Sequence, residues 1–246
     1  MAEKPDYGID APTVVRNLFL AAVACVVLAM IFPKVTVDKI TFLLNPGLFY
    51  TAVWLTAPAI LMLHYSKAGK FRHRDRMLAK IAWTGAESVL DVGTGRGLLL
   101  IGAAKKLTVG HATGIDVWST VDLSGNSPEA LLKNIAIEGV EAKTDVRSED
   151  ARKMSFPDGS FDVVLTNACI HNIHPGEGRR QACREIARVL RPGGVAVISD
   201  FQHMHAYARE LRKAGLTVEM GSPGWLTTFP PLRILVAQKA ERARYS

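Results

Sequence analysis

Hydrophobic and polar positions divide the chain into two parts that follow different rules. From Leu18 to Phe32 the sequence LFLAAVACVVLAMIF carries no charge. Extended back to Pro12, the run is long enough to cross a bilayer core of roughly 30 Å, with Arg16 snorkelling to the interface. A second run, ITFLLNPGLFYTAVWLTAPAILMLHY, covers Ile40–Tyr65 without formal charge when His64 is neutral. The pair predicts two transmembrane helices, over about 14–32 and 40–65, the second kinked at Pro46 and Pro58. Tyr50, Trp54 and Tyr65 are candidates for interfacial anchoring. A cleaved signal peptide, a buried core hairpin and a hairpin that dips in without crossing are the alternatives. Against the first, the leading run has a long acidic approach and no A-x-A exit.

Behind this hairpin the pattern changes period. From Ser88 onward, short runs rich in Val and Ile (Val89–Val92, Ala112–Val117, Phe161–Thr166, Val195–Ser199) alternate with helical stretches at Leu98–Leu107, Ser127–Glu138 and Arg179–Leu190. Strands separated by helices of this length predict a mostly parallel sheet covered on both faces. A weaker run at Ala142–Arg147 adds a strand. LTVEM and RILVAQK, joined by a Gly/Pro-rich loop without a helix, add two more near the C-terminus, one of them antiparallel. The fold class is therefore α/β and Rossmann-like, with seven strands, preceded by two transmembrane helices. The expected division is a membrane hairpin over 1–66, a basic juxtamembrane connector over 67–87 and a catalytic domain over 88–246.

Charge changes the picture in one place. The 246-residue chain has a formal net charge of +7, and Lys67, Lys70, Arg72, Arg74, Arg76 and Lys80 follow the second apolar run directly. They outnumber Lys34 and Lys39 in the short intervening loop, so the positive-inside rule puts the N-terminus and the catalytic domain in the cytoplasm. A polybasic collar in that position suits anionic headgroups. No later basic patch with interleaved aromatics points to nucleic acid. Cys25, Cys169 and Cys183 share no metal-ligand spacing and form no disulfide framework.

The stretch VLDVGTGRG, Val89–Gly97, ends a buried strand in three glycines at alternate positions. Such a turn lets a ligand approach the backbone at the carboxyl end of the first strand. The third glycine arrives one residue too early for a dinucleotide fingerprint, and Asp91 beside the turn favours a ligand with a positive group over a pyrophosphate. Asp116 ends the next strand at a distance suited to a ribose diol. Asp150 follows the third strand, where a carboxylate can accept from an exocyclic amine. Ammonium, ribose and adenine amine occur together in S-adenosylmethionine.

These segments, with GIDVW, DARKMSFPDGSFDVV and REIARVLRPGG, resemble in order the motifs of class I S-adenosylmethionine-dependent methyltransferases, in the branch of the ubiquinone/menaquinone C-methyltransferases. The resemblance covers about 76–239. It implies that Gly93, Thr94, Gly95 and Gly97 line the methionine moiety and that Asp91 lies near its amino group. It further implies that Asp116 binds the ribose, with Val117 or Trp118 against the adenine. Asp150 and Ala151 would face the adenine amine, and Asn167 would border the sulfonium. One departure is the polar loop Ser119–Ser127, which precedes a helix that begins at once in many relatives.

Methyl transfer from a sulfonium needs alignment above all, and a base only when the nucleophile arrives protonated. The ends of the fourth and fifth strands carry His171, His174, His203 and His205. Of these, His171 and His203 are the candidate catalytic residues on the acceptor side. No metal is expected. Cys169 is read as a small buried hydrophobe, with a thiol relay as the alternative. TNAC in place of an Asn/Asp-Pro-Pro-Tyr run argues against a nucleic-acid amine. The expected acceptor is small and lipophilic (a quinone or phenol, a lipid amine or a hydrophobic thiol), reached from the membrane lipids, and the loop Gly221–Leu232, with Trp225 and Phe229, is expected to wall its site. Methylation of a membrane protein and a non-catalytic cofactor-binding scaffold are the rival readings.

Overall fold

The computed structural model describes residues 3–241; the expected domain bounds at 1–2 and 242–246 lie outside the described residues. Seven strands form the sheet of the larger part: β3 (Ser88–Val92), β4 (His111–Asp116), β5 (Thr144–Ser148), β6 (Phe161–Asn167), β7 (Leu190–Asp200), β8 (Leu216–Met220) and β9 (Arg233–Lys239). Their order is β5-β4-β3-β6-β7-β9-β8. β9 runs antiparallel to both neighbours, and the other pairs are parallel. The sheet matches the expected Rossmann-like α/β class.

Strand residues alternate between the two faces, and each face is covered. Val89, Val163 and Val197 join α3 (Lys70–Leu78), α4 (Leu98–Ala104) and α5 (Pro128–Glu138) in one apolar cluster. Leu90, Val164 and Ile198 join α6 (Gly176–Val189) and α7 (Met204–Lys213) in the other. Fully burying each such side chain contributes about 1.5–3 kcal/mol. The helix α7 was not foreseen, although Met204, Tyr207, Ala208 and Leu211 bury one amphipathic face.

The apolar N-terminal part is a helical hairpin of α1 (Pro12–Ile31) and α2 (Asn45–His64). By length and composition, the helices Pro12–Ile31 and Asn45–Leu78 are sufficient to cross a membrane. The second does not begin at Ile40, as expected. Lys34–Val37 (β1) and Ile40–Leu43 (β2) pair as an antiparallel ribbon, and Pro46 opens the helix instead of kinking it. Proline is well placed in a first helical turn because the amide it lacks would have had no partner there.

The segment 67–87 is likewise more than a connector. α2 passes through a π-helical turn, Tyr65–Gly69, into α3, whose Met77 and Leu78 are fully buried in the core. Lys70 is buried rather than offered to headgroups. Its Nζ donates to the carbonyls of Tyr7 and Gly8, 2.7 Å each, and lies 3.6 Å from the Asp10 carboxylate.

The chain preceding α1 also belongs to the larger part. Tyr7 packs edge-on to Phe71 and donates to Glu138 at 2.7 Å. The polar loop Ser119–Ser127 receives this strap: Ala11 donates to the Asp122 carbonyl, Ser124 to that of Ile9, and Asp10 bridges Leu123. The departure seen in the sequence is thus the docking site for the foot of the hairpin.

Candidate active site

Gly93, Gly95 and Gly97 all have left-handed φ, +71°, +54° and +89°, where a side chain is strained. Space is as decisive as strain. A Cβ on Gly93 would stand 2.1 Å from Cys169 Sγ, and one on Gly97 would stand 2.3 Å from Leu131. Part of the bareness read as room for a ligand therefore makes room for the protein itself. Gly93 and Thr94 donate to the Ile115 carbonyl, and Gly95 donates to Asp116 Oδ2 at 2.7 Å, which fixes the loop over β4.

Asp116 also accepts from the Trp118 amide at 2.7 Å and from Asn126 Nδ2 at 3.3 Å. The Trp118 indole donates to Ser148, at the end of β5, and Val117 is exposed. Asp150 sits in a turn with its carboxylate gripped by Arg152 at 2.5 Å, beside buried Ala151. An adenine amine there would share that carboxylate with a guanidinium.

Asp91 accepts from Thr94 Oγ1 at 2.8 Å and from the Leu100 amide at 2.9 Å, and has no cationic partner among the described residues. Burial pushes its carboxyl up to about 7; its two donors pull it down, and Asp116 adds to the rise. An ammonium arriving here must displace a proton below that pH. Affinity for such a ligand should rise with pH, at most about tenfold per unit, and level off above about 7. Calorimetry at stepped pH checks this, and Asp91→Asn should flatten the dependence.

Cys169 lies within the field of three carboxylates from three strands, Asp116, Asp200 and Asp91. Burial first, then these charges, push its thiol up, so a thiolate relay is disfavoured. The same field favours a cation. Arg96 Nε, Asn126 Oδ1, Thr166 Oγ1 and Asn167 Oδ1 are buried without a hydrogen-bond partner. These carboxylates and spare polar atoms suit the chemistry of S-adenosylmethionine, which Asp91, the Thr94–Gly97 backbone, Asp116 and Asn167 would hold.

On the acceptor side the two histidines separate. His171 Nδ1 approaches Asp200 Oδ1 obliquely at 2.9 Å, the His171 amide donates to Asp200 Oδ2 at 3.2 Å, and the ring packs on Phe201. Asp200, 1% exposed, holds the His171 backbone and sets a negative charge beside Nδ1, which makes no aligned hydrogen bond to it. His203 is exposed at the start of α7 and faces the Tyr207 ring. Among the described residues, no contact joins it to His171 or Asp200, so only one of the pair has this carboxylate beside it.

Asp200 was missed, although VAVISD ends a strand in an acid just as ATGID does. The hairpin was not expected here either. The Tyr65 phenol lies near the Asn167 side chain, and His73 Nε2 is 2.6 Å from Ser199 Oγ, next to Asp200. Gly69 admits the Tyr65 ring, which a Cβ there would meet at 2.8 Å. The loop Gly221–Leu232 instead faces α3: Gly224, Thr227 and Leu232 line a groove of ≈ 560 Å³ with His73, Arg76 and Lys80. Trp225 and Leu226 project from it into solvent.

Residues 90–198 match the family model described as Methyltransferase domain. The 27-O-demethylrifamycin SV methyltransferase of Amycolatopsis mediterranei is 29% identical over 53% of this chain and 44% of its own. The ubiquinone/menaquinone biosynthesis C-methyltransferase of Roseobacter denitrificans is 27% identical over 53% and 49%. This chain spans about half the length of the curated relatives it matches. Among solved structures, the [4+2]-cyclase SpnF superposes with a TM-score of 0.59 at 19% identity, over 70% of this chain and 81% of that one. That likeness bears on the fold alone. Together the domain match and the named relatives support a methyltransferase domain over residues 90–198 that uses S-adenosylmethionine.

Proposed function

We propose that this protein is a membrane-anchored methyltransferase that moves a methyl group from S-adenosylmethionine to a small, lipophilic acceptor. One observation carries the reading: the second apolar helix runs through a π-turn directly onto the carboxyl ends of β6 and β7, bringing Tyr65 to Asn167 and His73 to Ser199. π-Turns inside helices commonly mark functional sites. An acceptor dissolved in the bilayer would meet the catalytic cleft at the foot of the hairpin.

The packing of the hairpin supports lipid around it. Its buried residues include Ala22 and Ala29 of α1 and Ala52 and Ala59 of α2, while Val53, Trp54 and Met30 are 65–79% exposed. Small residues between helices with large apolar ones outward is the membrane pattern. Both ends of the hairpin return to one domain, since Ser66 donates to Asp10 at 2.8 Å. The exposed Lys67, Arg72, Arg76 and Lys80 support a cytoplasmic placement of that side through the positive-inside rule.

Bound S-adenosylmethionine supplies an electrophilic methyl group. The residues of this chain do the rest. Asp91, Asp116 and the glycine turn hold the donor; Asn167 and Tyr65 border the transfer path; His171, held by Asp200, takes the proton of a phenol, enol or thiol. Alignment of this kind is worth about 7–11 kcal/mol. The test compares a prenylated quinol presented in vesicles with its short-chain, water-soluble analogue. The vesicle-borne substrate should show a KM lower by at least about tenfold, and equal KM and kcat would sink the lipophilic reading.

A further inference from the structure

A second polar cleft lies between α6 and α7, outside the elements that would hold the cofactor. Its cavity of ≈ 60 Å³ is lined by Gly176, Arg179, Arg180, His203, Tyr207 and Glu210, among others. That exceeds the roughly 30 Å³ share of one liquid water, enough for a carboxylate or phosphate group.

Three features of this cleft point to an anion. The first is the start of α6, a helix of 14 residues with no side-chain cap, where amide hydrogens and the helix dipole favour negative charge. The second is a pair of guanidinium groups converging on the bare Gly176: a Cβ there would be 3.2 Å from Arg179 Nη2 and 3.9 Å from Arg180 Nη1. The third is Tyr207, 1% exposed, whose hydroxyl has no hydrogen-bond partner. A buried hydroxyl without a partner is unfavourable, so its retention asks for one.

The acids nearby are already engaged. Glu210 is held by Lys213 at 2.8 Å and Arg184 at 3.7 Å, and Glu177 by Arg180 and Arg184 at 2.5 Å each. Arg179 spends one donor on the Ile173 carbonyl at 2.9 Å. A third carboxylate, buried Asp200, also acts on the Tyr207 hydroxyl, so four cations face three carboxylates and a net positive charge remains toward the cavity.

We propose that this cleft is an oxyanion site, binding a carboxylate or phosphate group through Arg179, Arg180, the amides at the start of α6 and the Tyr207 hydroxyl. The group comes either from an acidic substituent of the methyl acceptor or from a free anion. Only the first source rests on the methyltransferase reading.

Full-length protein in detergent is titrated with inorganic phosphate and with benzoate by calorimetry, without cofactor or acceptor. Saturable binding is expected, weakened at least tenfold by Arg179→Gln and unchanged by Lys106→Gln. Tyr207→Phe should weaken the anion several-fold and raise Tm in its absence, because the deleted hydroxyl has no protein partner. That opposed pair of shifts separates ligand binding from a packing role, and it survives if Arg179→Gln fails to fold. Absence of saturable binding, or binding indifferent to both variants, overturns the proposal whatever the enzyme's activity. Competition then tells the sources apart. Phosphate that raises the KM of the acceptor without touching cofactor affinity assigns the site to the acceptor's own oxyanion, and phosphate that binds without competing assigns it to a free anion.

Discussion

His171→Ala should lower kcat by about 10²–10⁴-fold, the span of a lost general base, or roughly 3–5 kcal/mol of transition-state stabilisation. Affinity for S-adenosylmethionine should stay within about twofold, because the proposed cofactor site is built from Asp91, Asp116 and the glycine turn, which bond to one another and not to His171. Asp200→Asn is the companion variant. It keeps the shape but removes the charge 2.9 Å from Nδ1, so the loss is intermediate. His203→Ala should leave kcat nearly unchanged, since no contact ties it to His171 or Asp200 among the described residues. Single-turnover rates with each variant at saturating cofactor read these effects directly. An unaltered rate in His171→Ala would mean that the acceptor arrives already deprotonated.

Lys70→Met should cost about 3 kcal/mol of stability. The ammonium serves two carbonyls and one carboxylate at once, and methionine fills the volume but supplies no donor. The buried Tyr7 carbonyl and the half-buried Gly8 carbonyl then lose this donor. For a chain of this size the loss corresponds to a Tm lower by about 6–12 °C, read by thermal unfolding in detergent. A functional loss should accompany it. Asp6 pairs with Arg96 in the glycine turn at 3.0 Å, and Asn134 clasps both the Asp6 backbone and the Arg96 carbonyl. Loosening the strap therefore loosens the cofactor loop, and affinity for S-adenosylmethionine should fall several-fold. Asp10→Asn, at a half-exposed carboxylate, should cost far less than Lys70→Met. Equal costs would place the energy in the ion pair rather than in the carbonyls.

The parts of the site that could be read from the sequence are those built from neighbours in the chain. Asp91 and the three glycines lie within seven residues, and the strand–turn–helix pattern places them before any contact is known. Asp116 was legible for the same reason, since it closes an apolar strand at the right interval. Contacts between distant positions left no such trace. His73 meets Ser199 across 126 residues and Lys70 meets Tyr7 across 63, and neither pairing has a periodicity or spacing to betray it. His171 and His203 looked equivalent because both follow strand ends; only the fold gives one of them Asp200. The error at Ile40–Leu43 has a local cause. An apolar run reads alike as a lipid-facing helix or a strand, and Pro46 in the sequence is compatible both with a kink within a helix and with its first turn. The joining of hairpin to catalytic cleft was likewise out of reach, because a basic stretch after an apolar run does not say which of its cations will be buried.

The measurement that bears most directly on methyl transfer to a membrane-borne acceptor uses S-adenosylmethionine with an isotopic methyl group. Full-length protein is incubated with native membranes, which are then separated into organic, aqueous and protein fractions. Label in the organic fraction, lost in His171→Ala, is the predicted result. Label confined to the aqueous or protein fraction would contradict the account, leaving the hairpin as a tether or a recruiter and the acceptor outside the lipid phase.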